Sequence, residues 1–171
     1  MALVALNAQE GGSNPALFVF AKSSIVSKKT EPMGEVKVEA ELENAVDQEL
    51  LRLGYIKAEQ VRSAKVHVLV DSGAVMLVLP QDLVETLGLR EVGKAIVTYA
   101  DERKEERPIA GVVTVRVENR TTSLNCIVGP PNSEPLLGQV VLETLDLLVD
   151  CTQQKLVPRP ESPFLPLLKL K

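Results

Sequence analysis

Eight consecutive residues, Glu35-Val36-Lys37-Val38-Glu39-Ala40-Glu41-Leu42, alternate strictly between polar and apolar. A strand sends successive side chains to opposite faces, so this period of two predicts a strand with one wet face and one buried face. The chain is thereby committed to a sheet covering a core. Its apolar residues suit that: Val, Leu, Ile and Ala dominate, aromatics are only 3 %, and Val favours strands. At 171 residues and 45 % hydrophobic content, one domain with extensions fits better than two full domains.

The segments that follow carry similar signals. Residues 45 to 62 read as helical, with Val46, Leu50, Leu53 and Ile56 at spacings of three and four around Gly54. Residues 64 to 70 read as a strand ending at Asp71, and residues 75 to 79 as a strand closed by Pro80. Gln81 to Leu87 reads as a short helix stopped by Gly88. Strands at 94–100 and 109–117 flank the charged run Asp101-Glu102-Arg103-Lys104-Glu105-Glu106, a solvated hairpin tip. Thr121 to Val128 is a further strand. Leu136-Leu137-Gly138 opens a helix reaching about Leu145, and Leu147 to Leu156 is a last strand. There is also an internal echo: Leu83-Val84-Glu85-Thr86-Leu87-Gly88-Leu89 matches Val141-Leu142-Glu143-Thr144-Leu145-Asp146-Leu147.

Three parts emerge. Residues 1–33 are an N-terminal extension, with Met33 as an alternative start. Residues 34–158 are the patterned domain, and residues 159–171 are a Pro-rich, apolar tail. For Phe164 to Leu168, disorder and a role as an added strand at a dimer interface stand as equal alternatives.

Several functions are disfavoured. A net charge of −4 with scattered Lys and Arg gives no nucleic-acid footprint. No apolar run approaches the roughly 20 residues of a membrane span, and the N-terminus lacks a basic export region. A cytoplasmic location with reduced thiols is therefore expected. Two cysteines (Cys126 and Cys151) and one histidine (His67) are too few for a structural zinc site. No metal and no cofactor are expected. His67 alternates with Val66, Val68 and Val70, which places it on the wet face of its strand.

One motif carries chemistry. An apolar strand runs into Asp71-Ser72-Gly73-Ala74, where Gly73 permits a tight turn and places the Asp71 carboxylate at a strand end. Such a tripeptide is ordinary turn chemistry by itself. Its context is fuller: a second apolar strand ending in Pro, a helix with Leu-Gly-Leu, a hairpin containing Tyr99-Ala100-Asp101, and Leu136-Leu137-Gly138 opening a helix that ends in Leu-Asp-Leu-Leu-Val-Asp.

This order resembles the retropepsin-like aspartic proteases, retroviral and bacterial, over about residues 34 to 158. The resemblance implies a mainly β fold: a small closed barrel with short helices and a flap hairpin, paired as a two-fold homodimer. It implies that Asp71 is catalytic and that Ser72, Gly73 and Ala74 form the supporting loop, with Ser72 bonding across the dimer. Tyr99, Ala100 and Asp101 would lie at the flap, and Leu136, Leu137 and Gly138 would pack under the active site. The partners implied are a second copy and a peptide or protein substrate, with no nucleic acid and no membrane. The activity implied is aspartic endopeptidase; the alternative is a catalytically weak or inactive dimerisation or peptide-binding module of the same fold.

Departures from the family pattern are visible. Val75 and Gln139 stand where retroviral members often carry an acidic residue and an Arg, so a repacked site is expected there. Glu102 stands where a flap-tip Gly is usual. Ala74 lacks a hydroxyl to stabilise an ionised Asp pair, which predicts a pH optimum nearer neutral than that of a strongly acid protease. Asp150 follows a strand and opens no such turn, so it reads as structural.

Overall fold

The alternating segment forms β1 (Lys37–Asn44), and its apolar half (Val38, Ala40, Leu42) is buried together with Val36. Burying one such Val or Leu contributes about 1.5–3 kcal/mol. The computed structural model describes residues 34–170. The expected N-terminal extension, residues 1–33, lies outside the described residues.

After β1 come α1 (Ala45–Arg52), β2 (Ser63–Val70), β3 (Leu77–Pro80), α2 (Gln81–Thr86), β4 (Arg90–Thr98), β5 (Lys104–Val117), β6 (Arg120–Gly129), β7 (Leu136–Leu137), α3 (Gln139–Leu145), β8 (Leu147–Asp150) and β9 (Lys155–Pro158). Seven strands make one sheet in the order β1-β2-β7-β3-β6-β5-β4, and β1 also pairs with β5. One row of paired residues runs Lys37, Leu69, Leu136, Val78, Ile127 and Ile109 across six strands. The fold is mainly β, as expected from the alternation. Leu42, Leu77, Leu79, Leu87, Leu137 and Leu145 are among the fully buried side chains of its core. His67 is exposed opposite Glu39, as its place in the alternation predicts.

Three expectations need correction. The helix expected over 45–62 ends at Arg52. Gly54 takes a left-handed conformation (φ 80°), and the amides of Gly54 and Tyr55 bond back to Leu51 and Leu50 at 2.9 Å each, so the helix is closed there. Its apolar spacing also misleads: Val46 is 56 % exposed, and the buried residue of α1 is Asp47, which pairs with Arg62 at 2.7 Å. The charged hairpin tip is shorter than expected, because Lys104, Glu105 and Glu106 pair within β5 with Thr98, Val97 and Ile96. The single last strand over 147–156 is a hairpin, β8 against β9. The Asp150 carboxylate accepts the amides of Thr152 (3.0 Å) and Gln153 (2.9 Å) and thereby builds the turn between them.

The sequence echo has a structural counterpart. The two matching segments are α2 and α3, and each ends in a left-handed residue at the same place, Gly88 (φ 59°) and Asp146 (φ 51°). A buried side chain from elsewhere closes each helix end. Asn44 Nδ2 donates to Leu87 O (2.9 Å) and Gly88 O (3.3 Å). Arg120 Nη1 donates to Leu145 O (2.6 Å) and Asp146 O (2.8 Å).

The tail holds to this second helix end. Asp146 accepts from Arg159 Nε (2.6 Å), from the Leu167 amide (3.1 Å) and from the Ser162 hydroxyl. These contacts hold its carboxyl well below the usual range, at about 2, with the Ser162 bond the largest cause. The tail forms no strand among the described residues, and Phe164, Leu165, Leu167, Leu168 and Leu170 are exposed.

Candidate active site

Asp71 stands where β2 leaves the sheet. The amides leading to it are all used: Leu69 to Pro135 O (2.9 Å), Val70 to Val36 O (2.8 Å) and Asp71 to Leu137 O (3.1 Å). The chain then turns tightly, with Ala74 N bonding Asp71 O at 3.1 Å. The Gly73 amide donates to Asp71 Oδ1 at 2.9 Å and so fixes the orientation of the carboxylate. Asp71 is half-buried, while Ser72 and Gly73 are exposed.

α3 supports this turn from below. The first amides of a helix have no partner within it. Here Gln139 N bonds Ala74 O (2.8 Å) and Val140 N bonds Val75 O (3.0 Å). The helix start and the Asp71 turn therefore satisfy each other. Gly138 makes the approach possible, because a β-carbon there would lie 2.7 Å from Ala74 O and would also strike Met76 O. Leu137 is fully buried beside β2, and Leu136 pairs with both Leu69 and Val78.

The residues expected to form the loop and its support thus meet: Asp71 to Ala74 on one side, Leu136 to Gly138 on the other. The repacking expected at Val75 and Gln139 is absent from the single chain. Val75 is 66 % exposed, and Gln139 Nε2 donates along its helix to Glu143 Oε1 (2.7 Å).

Tyr99, Ala100 and Asp101 lie at the tip of the β4–β5 hairpin. Tyr99 N bonds Arg103 O and Glu102 N bonds Tyr99 O, at 2.9 Å each, and Glu102 is left-handed with φ 63°. This is a three-residue hairpin turn whose left-handed position suits glycine. Among the described residues, no hydrogen bond links the tip to the Asp71 turn.

Residues 58–144, about half of the chain, match the family model described as "gag-polyprotein putative aspartyl protease". The chain belongs to the retropepsin-like aspartyl proteases. The matched part of this aspartyl protease domain runs from the turn before β2 into α3, and so contains both the Asp71 turn and the hairpin tip. No curated protein matches the chain significantly. Among the described residues, no group of three or more His, Cys, Asp or Glu side chains could hold a metal ion. No helix among them is long and apolar enough to cross a membrane.

Two polar groupings of the chain were missed in the sequence. One is the Asp146 cluster, assembled from residues far apart in sequence. The other gathers Tyr99, Arg103, Glu105 and Arg107 on one hairpin face. The even spacing of Arg103, Glu105 and Arg107 was the available signal, masked by the charge run around it.

Proposed function

We propose that the chain is one protomer of a homodimeric aspartic endopeptidase, in which Asp71 of each copy supplies one of two catalytic carboxylates. The observation that carries this reading is the turn itself: a half-buried carboxylate held by the Gly73 amide on a loop braced by α3. The sequence contains one Asp-Ser-Gly, which supports a second carboxylate supplied by a second copy on a two-fold axis. The pairing of β1 with β5 supports a closed barrel as the frame.

Two carboxylates about 3 Å apart repel by about 5 kcal/mol at an effective dielectric of 20, so the pair shares one proton. The ionised Asp71 takes a proton from water, whose oxygen attacks the scissile carbonyl carbon. The protonated Asp71 donates to the carbonyl oxygen. Collapse of the tetrahedral intermediate breaks the C–N bond, and the leaving amine takes up a proton. The hairpin serves as the flap, with Tyr99, Ala100 and Asp101 at its tip.

A second reading is a dimerising or peptide-binding module that does not cleave. It is favoured by Glu102, a side-chain-bearing residue at the left-handed position of the tip.

Purified wild type and Asp71→Asn, incubated with a mixed peptide library from about pH 4 to 7.5, separate the two by mass spectrometry. Cuts made by the wild type alone, with a rate rising faster than linearly at low protein concentration, are expected. Equal cuts by both proteins, or none by either, overturn the protease reading. With the assay extended down to about pH 2, an optimum below about pH 3 would overturn the near-neutral expectation drawn from Ala74.

A further inference from the structure

A cluster near the tip of the β4–β5 hairpin takes no part in the Asp71 chemistry. The register sets Val97 opposite Glu105 and Ala95 opposite Arg107, and Tyr99 N bonds Arg103 O. Residues two apart on a strand share a face, so Tyr99, Arg103, Glu105 and Arg107 lie on one face of the hairpin. From Lys104 to Pro108, β5 pairs with β4 alone, so this part of the hairpin is an arm rather than part of the wider sheet.

Within the cluster most polar groups are engaged. The Tyr99 hydroxyl donates to Glu105 Oε2 (3.0 Å) and accepts from Arg107 Nε (3.3 Å). Arg107 Nη2 pairs with Glu105 Oε1 (3.3 Å). The one carboxylate and one of the two guanidiniums on this face therefore satisfy each other.

Arg103 differs. Its guanidinium carbon lies over the Tyr99 ring, 4.6 Å from the centroid, and the group makes no ion pair or side-chain hydrogen bond among the described residues. A cation held over an aromatic ring is attracted by the ring face without using up its N–H donors. Those groups form a fork that matches a carboxylate with two parallel bonds, whereas an amide oxygen offers only one acceptor. Tyr99, itself fixed by Glu105 and Arg107, holds the fork in place before any ligand arrives. The tip segment Asp101 to Arg107 carries four carboxylates against three cations, so the local field does not draw anions from a distance.

We propose that Arg103 reads a carboxylate in the bound peptide, so that substrates with Asp or Glu at one fixed position near the scissile bond are preferred. This rests on the protease reading above.

The test uses matched peptides differing only as Glu or Gln at each position around a cleaved bond, assayed at about pH 6, where Glu is ionised. The readout is the Glu-to-Gln ratio of kcat/KM within each protein, which cancels differences in active fraction. Wild type is expected to show a ratio of about ten at one position, in keeping with a charge-assisted bidentate contact. Arg103→Gln should bring that ratio close to one, and Arg103→Lys, which keeps the charge and loses the fork, should fall between. A wild-type ratio near one at every position overturns the proposal and leaves the protease standing. So does a ratio that Arg103→Gln does not change. Absence of any Asp71-dependent cleavage overturns both.

Discussion

Gly138 backs onto the carbonyl oxygen of Ala74 so closely that a β-carbon on it would stand 2.7 Å away. Its backbone (φ −83°, ψ 176°) is open to any residue, so space alone demands glycine here. Gly138→Ala should cost about 3 kcal/mol by overpacking and lower Tm by roughly 10 °C. It should also abolish peptide cleavage, because the Asp71 turn must shift. A variant that melts with the wild type and cleaves normally would show that the turn is not braced this way.

Asn44 serves two helices with one side chain. Its Oδ1 accepts the amides of Val46 (2.9 Å) and Asp47 (3.2 Å), while its Nδ2 closes α2. Loss of an N-cap and of a buried donor together should make Asn44→Ala about 2–4 kcal/mol less stable in urea unfolding. Asn44→Asp keeps the acceptor and loses the donor, so it should fall between. If Asn44→Asp unfolds at the same urea concentration as the wild type, Nδ2 drops out of the account.

Asp146 links stability to pH. Its folded carboxyl lies at about 2, below the ordinary value of 3.8, so the folded state favours the ionised form. The resulting stabilisation is present in full above about pH 4 and fades as pH falls through the folded value. Asp146→Asn tolerates the left-handed backbone, removes the charge and turns one of the two accepting oxygens into an NH2 donor. Its deficit in urea unfolding should hold steady near neutral pH and shrink on acidification toward pH 2. A constant deficit over that whole range would mean that the charge contributes nothing.

Glu102 occupies a left-handed position without glycine's freedom. Glu102→Gly should steady the hairpin tip by about 1 kcal/mol. Amide exchange at Tyr99 and Glu102, both bonded across the tip, should slow by about fivefold. Faster exchange would mean that the Glu102 side chain stabilises the turn in a way its conformation does not reveal.

The strands and the Asp71 turn were legible because their signals are local. Alternation specified β1 and β2 within two residues, and Asp-Ser-Gly after an apolar strand marked its own geometry. What was not legible depends on partners distant in sequence. The apolar spacing of α1 hid the fact that Asp47 turns inward, because Arg62, fifteen residues on, satisfies it. The hairpin within 147–158 was read as one strand because nothing in Cys151 to Gln154 is a strong breaker; the turn comes from the Asp150 carboxylate and a left-handed Gln154 (φ 50°). The tail looked detached because its anchor, Asp146, precedes it by a whole hairpin.

The two matching helix ends reach one backbone shape by opposite means. At Gly88 the space a β-carbon would need is filled by the Arg62 guanidinium, so that position works by having no side chain. At Asp146 the side chain is the centre of the contacts. Two units this similar in sequence have thus become non-interchangeable. A recombinant carrying either segment in the other's place would set a carboxylate against the Arg62 guanidinium, which would have to swing aside, or leave Arg159 and Ser162 without their acceptor.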